Sequence, residues 1–470
     1  MTSHGSAANV RSAMLLVGGE ETIVARATAD GRGALATIRI SGAQAIPIAR
    51  ALGAFPTGVR TRVATRRVLR HPISGARLDD AVVTAFMGPN SFTGEDVVEL
   101  STHGGRVVPT LVLAACVAAG ARLALPGEFT RRAVLNGKLD IVQAEAIADL
   151  IDARTVAMHG QALAQLDGGL SRRVLALRDE VIHLEAFLAY EIDFPEEDDG
   201  PIAPERIASA ARALVSAIDA LLATAPRAAV LRDGALVVIA GPPNAGKSSL
   251  FNALLGEARA LVTPIAGTTR DAVDALLDRA PVPLRFVDTA GLRQTDDTLE
   301  RLGIEVSERY LANAQVVLAC GASPADVQHA LDTVRPLTEA TVLPVLTKAD
   351  LQSTTAPRES SHSWVSAERG DGLTELLTRI DAAITDGAAV TAASDDADHV
   401  VVTRERHQRA LREAHDEVAH FLDGWSSGAL PATVAAVHLQ RARDALSGLV
   451  GAIGTEEILD RVFADFCIGK

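Results

Sequence analysis

Gly241-Pro-Pro-Asn-Ala-Gly-Lys-Ser248 follows directly on the apolar run Ala235-Leu-Val-Val-Ile-Ala240. Each fixed position of such a loop has a task in holding a nucleoside triphosphate. Glycine lets the backbone approach the phosphates with its amides turned inward, Lys247 reaches the β- and γ-phosphates, and the Ser248 hydroxyl ligates magnesium. Asn244, Ala245, Gly246 and Ser249 complete the cradle. Downstream, Gly267-Thr-Thr-Arg-Asp271 offers Thr269 to close the magnesium shell when the γ-phosphate is present, with Thr268 beside it. Asp288-Thr-Ala-Gly291 ends the mostly apolar run Leu284-Arg-Phe-Val287. Asp288 then stands on the metal side, Thr289 and Ala290 form the turn, and the Gly291 amide touches the γ-phosphate, so that hydrolysis releases both loops.

The base is read further on. Thr347-Lys-Ala-Asp350 follows the apolar stretch Thr341-Val-Leu-Pro-Val-Leu346. The Asp350 carboxylate can accept hydrogen bonds from both N1 and the N2 amine of guanine, a pair adenine cannot make. Ser366-Ala367, after Trp364-Val365, supplies a short loop whose amide meets guanine O6. Four elements in this order describe a GTP-hydrolysing switch. Two positions depart from the usual pattern. Thr347 stands where Asn is common, so the brace from that loop to the phosphate loop is shorter, although its hydroxyl can still donate. Leu292 follows Gly291 where many small GTPases carry a glutamine that orients the attacking water, and leucine cannot orient water. A polar group from Arg293-Gln-Thr-Asp-Asp-Thr-Leu-Glu-Arg301 must take that role.

The elements that position these loops follow from changes of period. Residues 21–137 alternate short apolar runs, such as Ala81-Val-Val-Thr-Ala-Phe86, with Gly, Pro and Ser turns and include a helical stretch near Val108–Ala119, giving an α/β or α+β domain. From 138 to 231 the pattern is helical: Ile147, Leu150 and Ile151 share a face, as do Leu177, Val181, Leu184 and Leu188. Strands alternate with helices over 232–386, a P-loop α/β domain, and 387–398 is a small-residue linker. Helical spacing returns over 399–470, with Leu411, Val418 and Leu422 on one stripe. Helices on both sides of an inserted domain imply one discontinuous bundle.

Composition sets limits. The 470 residues, 48% hydrophobic and 22% charged, allow several buried cores, and with 3% aromatics those cores rest on Ala, Leu, Val and Ile. Three scattered cysteines suit a reducing cytoplasm, with Cys116 and Cys320 in apolar runs as packing residues. Residues 1–20 hold an apolar run too short for a membrane span and read as a disordered extension. A net charge of −14 does not favour nucleic acid as a whole. A local basic face is offered by Arg60-Thr-Arg-Val-Ala-Thr-Arg-Arg-Val-Leu-Arg70, either an RNA contact or the solvent side of a strand. The acidic run Asp193-Phe-Pro-Glu-Glu-Asp-Asp-Gly200 reads as a loop between helices.

Outside the nucleotide motifs stand Thr22-Ile-Val-Ala-Arg-Ala-Thr28, Arg39-Ile-Ser-Gly42, Gly94-Glu-Asp-Val-Val-Glu-Leu100 and His103-Gly-Gly105. Pro126-Gly-Glu-Phe129, Leu135-Asn-Gly-Lys-Leu-Asp140, Gln143-Ala-Glu-Ala-Ile-Ala-Asp-Leu-Ile-Asp152 and the terminal Phe466-Cys-Ile-Gly-Lys470 follow. With these, the chain resembles the MnmE (TrmE) family of tRNA-modifying GTPases from about Thr22 to Lys470. The resemblance implies an N-terminal folate-binding and dimerisation domain, a discontinuous helical domain and an inserted Ras-like GTPase domain. It carries over Arg39, Glu99, Lys138 and Lys470 as contacts to 5-formyltetrahydrofolate or 5,10-methylenetetrahydrofolate. Glu99 suits the N–H and amine groups of a pterin, and the cations suit a formyl oxygen or glutamyl carboxylate. Glu300 matches the glutamate that positions the attacking water. Asn244, helped by Thr263, Ile265 and Thr268 in Thr263-Pro-Ile-Ala-Gly-Thr268, matches the potassium ligands. The potassium ion would neutralise charge on the transferring phosphates.

For Cys467 two readings stand, a reactive thiol in the tRNA chemistry and a structural one. The resemblance further implies a cytoplasmic homodimer that modifies C5 of the wobble uridine of tRNA together with an FAD-dependent partner, MnmG, in a heterotetramer or larger complex. The sequence itself has no dinucleotide fingerprint and no membrane segment. Two alternatives share the nucleotide motifs: an RNA-binding ribosome-assembly GTPase of the Era or Der type, and a scaffold that recruits the flavoenzyme with a vestigial folate pocket.

Overall fold

The computed structural model describes residues 21–56, 58–193, 203–257, 274–277, 282–288, 309–351, 362–387, 401–429, 431–451 and 469. It divides into two compact units, one of residues 1–148 with 447–470 and one of 149–446.

The first unit is built on strands β1 (Ile23–Arg26), β2 (Leu35–Ser41), β3 (Thr65–Arg70), β4 (Arg77–Phe86), β5 (Val97–His103) and β6 (Arg122–Leu123). They form one sheet in the order β3-β4-β5-β2-β1-β6, in which β1 and β6 run parallel and the other neighbours antiparallel. Strand period decides its two faces. Ala36, Ile38 and Ile40 of β2 and Val98 and Leu100 of β5 are fully buried. They pack with Ala45 and Ile46 of α1 (Ala45–Ala51) and Val112 and Cys116 of α2 (Val107–Ala118). Each large aliphatic side chain so buried contributes about 1.5–3 kcal/mol. The alternate positions, Arg39 and Glu99 among them, are thereby turned to the opposite face. Helices α3 (Glu128–Leu135) and α4 (Ile141–Asp152) follow. Burial fades along α4, from a fully buried Val142 to an Ile151 that is 45% exposed, so Ile151 does not share the buried face expected of it.

The second unit begins with helices α5 (Val156–Leu166), α6 (Gly169–Asp193), α7 (Pro204–Leu222) and α8 (Ala225–Asp233). Leu177, Val181, Leu184 and Leu188 are all buried along α6, as their spacing requires. A second sheet then takes in β7 (Ala235–Ala240), β8 (Asp274–Leu277), β9 (Leu284–Asp288), β10 (Val316–Gly321), β11 (Thr341–Leu346) and β12 (Ser363–Trp364). The order is β12-β11-β10-β7-β9-β8, parallel except for β8 against β9. Interleaved are α9 (Lys247–Glu257), α10 (Pro324–Val334) and α11 (Leu373–Gly387). The start of α10 is fixed by a reciprocal pair, Ser323 accepting from the Asp326 amide and Asp326 from the Ser323 amide, with Pro324 in the first turn.

Helices α12 (Glu405–Ser426) and α13 (Ala432–Val450) are the last of the described elements, the end of α13 belonging to the first unit. α12 packs on α7. Its buried stripe is Leu411, Ala414, Val418 and Phe421, so Phe421 takes the inward place expected of Leu422, which is only half-buried. Among the described residues no helix is long and apolar enough to cross a membrane.

Candidate functional site

Strand β7 lies between β10 and β9, and its carboxyl end is where chain direction across the sheet reverses, the usual position of a ligand crevice in such sheets. The phosphate loop starts there. Gly241 has φ of +151°, and a Cβ on it would stand 2.1 Å from the Cys320 carbonyl oxygen, so only glycine lets β7 and β10 end side by side. Asn244 also takes a left-handed conformation, φ 61°, which presents the loop between two tight turns. Lys247, buried, donates to the Pro242 carbonyl at 2.7 Å, its ammonium folded into the cradle. The Ser248 hydroxyl donates to Oδ2 of Asp288 at 2.7 Å. A hydroxyl and a carboxylate so close, at the start of α9, fit a magnesium ion that takes oxygen ligands.

The loops at 347–350 and 366–367 arrive at the same edge. Thr347 is buried, and its hydroxyl donates to the carbonyl oxygens of Ala245 at 2.5 Å and Gly321 at 3.0 Å. The brace to the phosphate loop is therefore made with threonine in place of asparagine. Lys348 extends it, Nζ donating to the Asn244 carbonyl at 2.9 Å. Asp350 accepts from the Ser366 hydroxyl at 2.7 Å. That bond, followed by the local backbone and the charges of Arg369 and Lys348, holds the Asp350 carboxyl below the usual carboxylate range, so it stays an acceptor. Ser366 is itself fixed by its amide donating to the Asp371 carbonyl at 2.9 Å, and Ala367 follows it at the loop edge. Cys320 is fully buried below the loop, and burial pushes its thiol up to about 12, the behaviour of a packing residue. Cys116 is held likewise, at about 12.

Thr263, Ile265, Thr268, Thr269, Thr289, Ala290, Gly291, Glu300, Cys467 and Lys470 lie outside the described residues, as do 1–20, most of the acidic run and most of the linker. The described part of the nucleotide site is thus the phosphate loop with Ser249, Asp288, and the loops at 347–350 and 366–367.

In the first unit Arg39 and Glu99 are cross-strand partners on β2 and β5. Nε and an Nη of Arg39 both reach Oε1 of Glu99, at 3.0 and 2.8 Å, and the guanidinium lies over the rings of Phe92 and Phe129 at 5.6 and 5.8 Å. A cleft of about 550 Å³ adjoins them, lined by Arg62, Thr84, Phe86, Phe92 and Lys138 among others. Thr84 is the β4 partner of Glu99. The Asn136 side chain donates to the Thr93 carbonyl at 2.6 Å, which joins the motif around Gly94 to the motif carrying Lys138. Gly469, φ 102°, lies so close to β1 that a Cβ would be 2.2 Å from the Arg26 carbonyl oxygen. Aromatic faces and cations around one cleft, with the Arg39–Glu99 pair next to its Thr84 wall, fit a heteroaromatic ligand with a carboxylate tail.

Several residues here are not foreseen from sequence. Arg132, buried, donates to Glu95 at 3.0 Å and to Glu128 at 3.0 Å, and Glu128 also accepts from Arg122 at 2.7 Å. Burial would raise the Glu128 carboxyl, but the Arg122 guanidinium, the Leu125 amide and Arg132 together bring it below the usual range. The basic run is on edge strand β3 and the turn before it. Arg66 pairs with Asp80 at 2.6 Å, while Arg62, Arg67 and Arg70 donate to the carbonyls of Asn90, Ala54 and Gly75.

The family model described as GTP-binding protein TrmE N-terminus matches residues 22–138, and that described as MnmE helical domain matches residues 141–467. A protein named tRNA modification GTPase MnmE from Azoarcus sp. (strain BH72) is 43% identical over 458 residues, 96% of this chain and 98% of its own. One of that name from Methylobacterium radiotolerans is 43% identical over 458 residues, 96% of this chain and 99% of its own. A third, from Moorella thermoacetica, is 38% identical over 467 residues, 96% of this chain and 100% of its own. With both units matched nearly end to end, the chain belongs to the MnmE family of tRNA modification GTPases.

Proposed function

We propose that this chain hydrolyses GTP to drive modification of the wobble uridine of tRNA at C5, adding an aminomethyl or carboxymethylaminomethyl group with a one-carbon unit from a reduced folate. The observation that carries the reading is the convergence of the loops at 241–248, 347–350 and 366–367, with Asp288, on one edge of the β7 sheet. Lys247 and the loop amides would hold the phosphates, Ser248 and Asp288 would hold magnesium with Thr269, and Asp350 would select guanine. The Thr289, Ala290 and Gly291 turn would follow the γ-phosphate. Glu300 is assigned to position the attacking water, in place of what Leu292 cannot do. Asn244, with Thr263, Ile265 and Thr268, would hold potassium against the phosphates.

In the first unit, Glu99 would accept from the pterin edge of the folate, with Arg39 holding Glu99 in place, and Lys138 and Lys470 would meet its anionic or formyl oxygens. Cys467 is left with its two roles. The chain would act as a cytoplasmic homodimer with the FAD-dependent MnmG, which would supply the redox half. The domain division proposed is 21–137, 138–231 with 399–470, and 232–386. No observation favours the Era or Der alternative, because the family match runs from residue 22 to 467.

The test is GTP turnover by the purified full chain in potassium and sodium salts, beside mass analysis of wobble nucleosides from cells lacking the gene. Turnover faster in potassium and loss of the modified nucleoside are expected. Glu300→Ala should bind GTP, fail to hydrolyse it and fail to restore the nucleoside. No turnover under any alkali salt, or unchanged nucleosides, would refute the reading.

A further inference from the structure

Helices α12 and α13 carry a cluster that neither the nucleotide nor the folate reading uses. Glu417 and His420 stand one turn apart on α12, and His438 faces them from α13. A carboxylate oxygen of Glu417 and one ring nitrogen of each histidine lie within 4.8 Å of one another. Nδ1 of His438 is 2.6 Å from Oε2 of Glu417, and the two imidazole rings are 5.9 Å apart between centroids.

Two imidazole nitrogens and one carboxylate are the donor set of open zinc sites, and imidazole suits zinc, nickel and copper far better than magnesium or calcium. A tetrahedral ion about 2.0–2.1 Å from each donor holds its ligand atoms roughly 3.3 Å apart. The three atoms straddle that spacing. The short Glu417–His438 contact has to open by less than an ångström, and no other gap has to close by more than about 1.5 Å. His420 is exposed and can turn about its side-chain torsions to do so. The competing cation is Arg441, whose Nη1 is 3.5 Å from Oε1 of Glu417. Its side chain is 62% exposed, so it can withdraw into water when a metal takes its place.

The geometry points to a zinc-class divalent site formed by Glu417, His420 and His438, with water in the remaining position, that staples α12 to α13. The site joins two helices at a point where, among the described residues, Glu417 of α12 already meets His438 and Arg441 of α13. Magnesium supplied for the nucleotide does not compete for it, because imidazole nitrogen is a poor magnesium ligand.

The experiment uses the untagged full chain, stripped with chelator and returned to magnesium and GDP. Zinc is titrated, and the metal retained after buffer exchange is counted by mass spectrometry. Cobalt(II) in place of zinc gives visible absorption bands that report nitrogen and oxygen coordination. One zinc equivalent per chain is expected, lost in His438→Ala and in the His420→Ala/His438→Ala double variant, with GTP turnover of those variants showing that they fold. Zinc should also shield both histidines of the wild-type chain from an imidazole-acylating reagent, a readout that needs no variant. The proposal is overturned if the wild-type chain retains no equivalent, if the double variant retains it, or if zinc leaves both histidines equally reactive.

Discussion

Replacing Thr347 by valine removes one hydroxyl and keeps the side-chain shape. That hydroxyl has a single proton to share between Ala245 and Gly321. The Gly321 oxygen also accepts from the Thr347 amide at 2.9 Å, so it keeps a partner in the variant, and the loss falls on Ala245. Thr347 is only 4% exposed, so water does not readily replace the bond. An acceptor left dry in this way destabilises by about 1–3 kcal/mol. For a domain of this size that is a fall of roughly 2–12 °C in melting temperature. The same bond ties the loop at 347–350 to the glycine-rich loop at 241–248, so GDP affinity should fall by up to about 5- to 150-fold.

Thr347→Ser keeps the donor and loses one methyl, about 0.8 kcal/mol, and should bind GDP nearly as the wild type does. Trp364, two residues before Ser366, gives a fluorescence signal beside the site for both the unfolding and the binding titrations. If the valine variant stays within about 0.5 kcal/mol of wild type in both, or if serine is the more damaging change, the brace is not what holds the two loops together.

Other consequences can be measured in the same way. Asp350 is held below the usual carboxylate range first by Ser366, so it stays ionised through that range and loses its charge only as pH falls through the lowered value. Ser366→Ala should therefore move the acid limb of GDP binding to higher pH, measured by titrations between about pH 3 and 7. Arg132→Met leaves Glu95 and Glu128 without their buried cation and should destabilise the chain by about 3–5 kcal/mol in urea unfolding. Because Glu128 is also lowered, wild-type stability in the first unit should drop as pH falls through that lowered value, and circular dichroism at successive acid pH checks it. Glu99→Gln frees Arg39 from its ion pair and should weaken tetrahydrofolate binding about tenfold, read by fluorescence quenching, while GTP turnover stays unchanged.

What could be read from the sequence is what depends on neighbouring residues. The glycine-rich loop after β7, the buried stripe of α6 and the turn carrying Asp350 are each set by a short stretch with its own period or turn chemistry. Arg39 and Glu99 are sixty positions apart, and their pairing depends on the register of β2 against β5, which no single stretch encodes. The same holds for Arg132 between Glu95 and Glu128. Phe421 displaced Leu422 from the inward stripe because helical spacing allows either residue, and packing on α7 decides. The arginines of β3 and of the turn before it form a basic row in sequence, yet Asp80 and three backbone carbonyls occupy four of them.

Thr224 and Val402 meet where the nucleotide domain joins the helices, the Val402 amide donating to the Thr224 hydroxyl at 3.0 Å. Segments on either side of that domain thus meet at one point, and α7 must await α12, which ribosomes complete roughly 200 residues later. At about 5–20 residues per second that delay is on the order of 10–40 s. The whole GTP-binding sheet emerges in the meantime. Through that interval Ile207, Ala211, Leu214 and Ile218 have no α12 to cover them, so the nascent chain offers a greasy stripe to any chaperone at the exit tunnel.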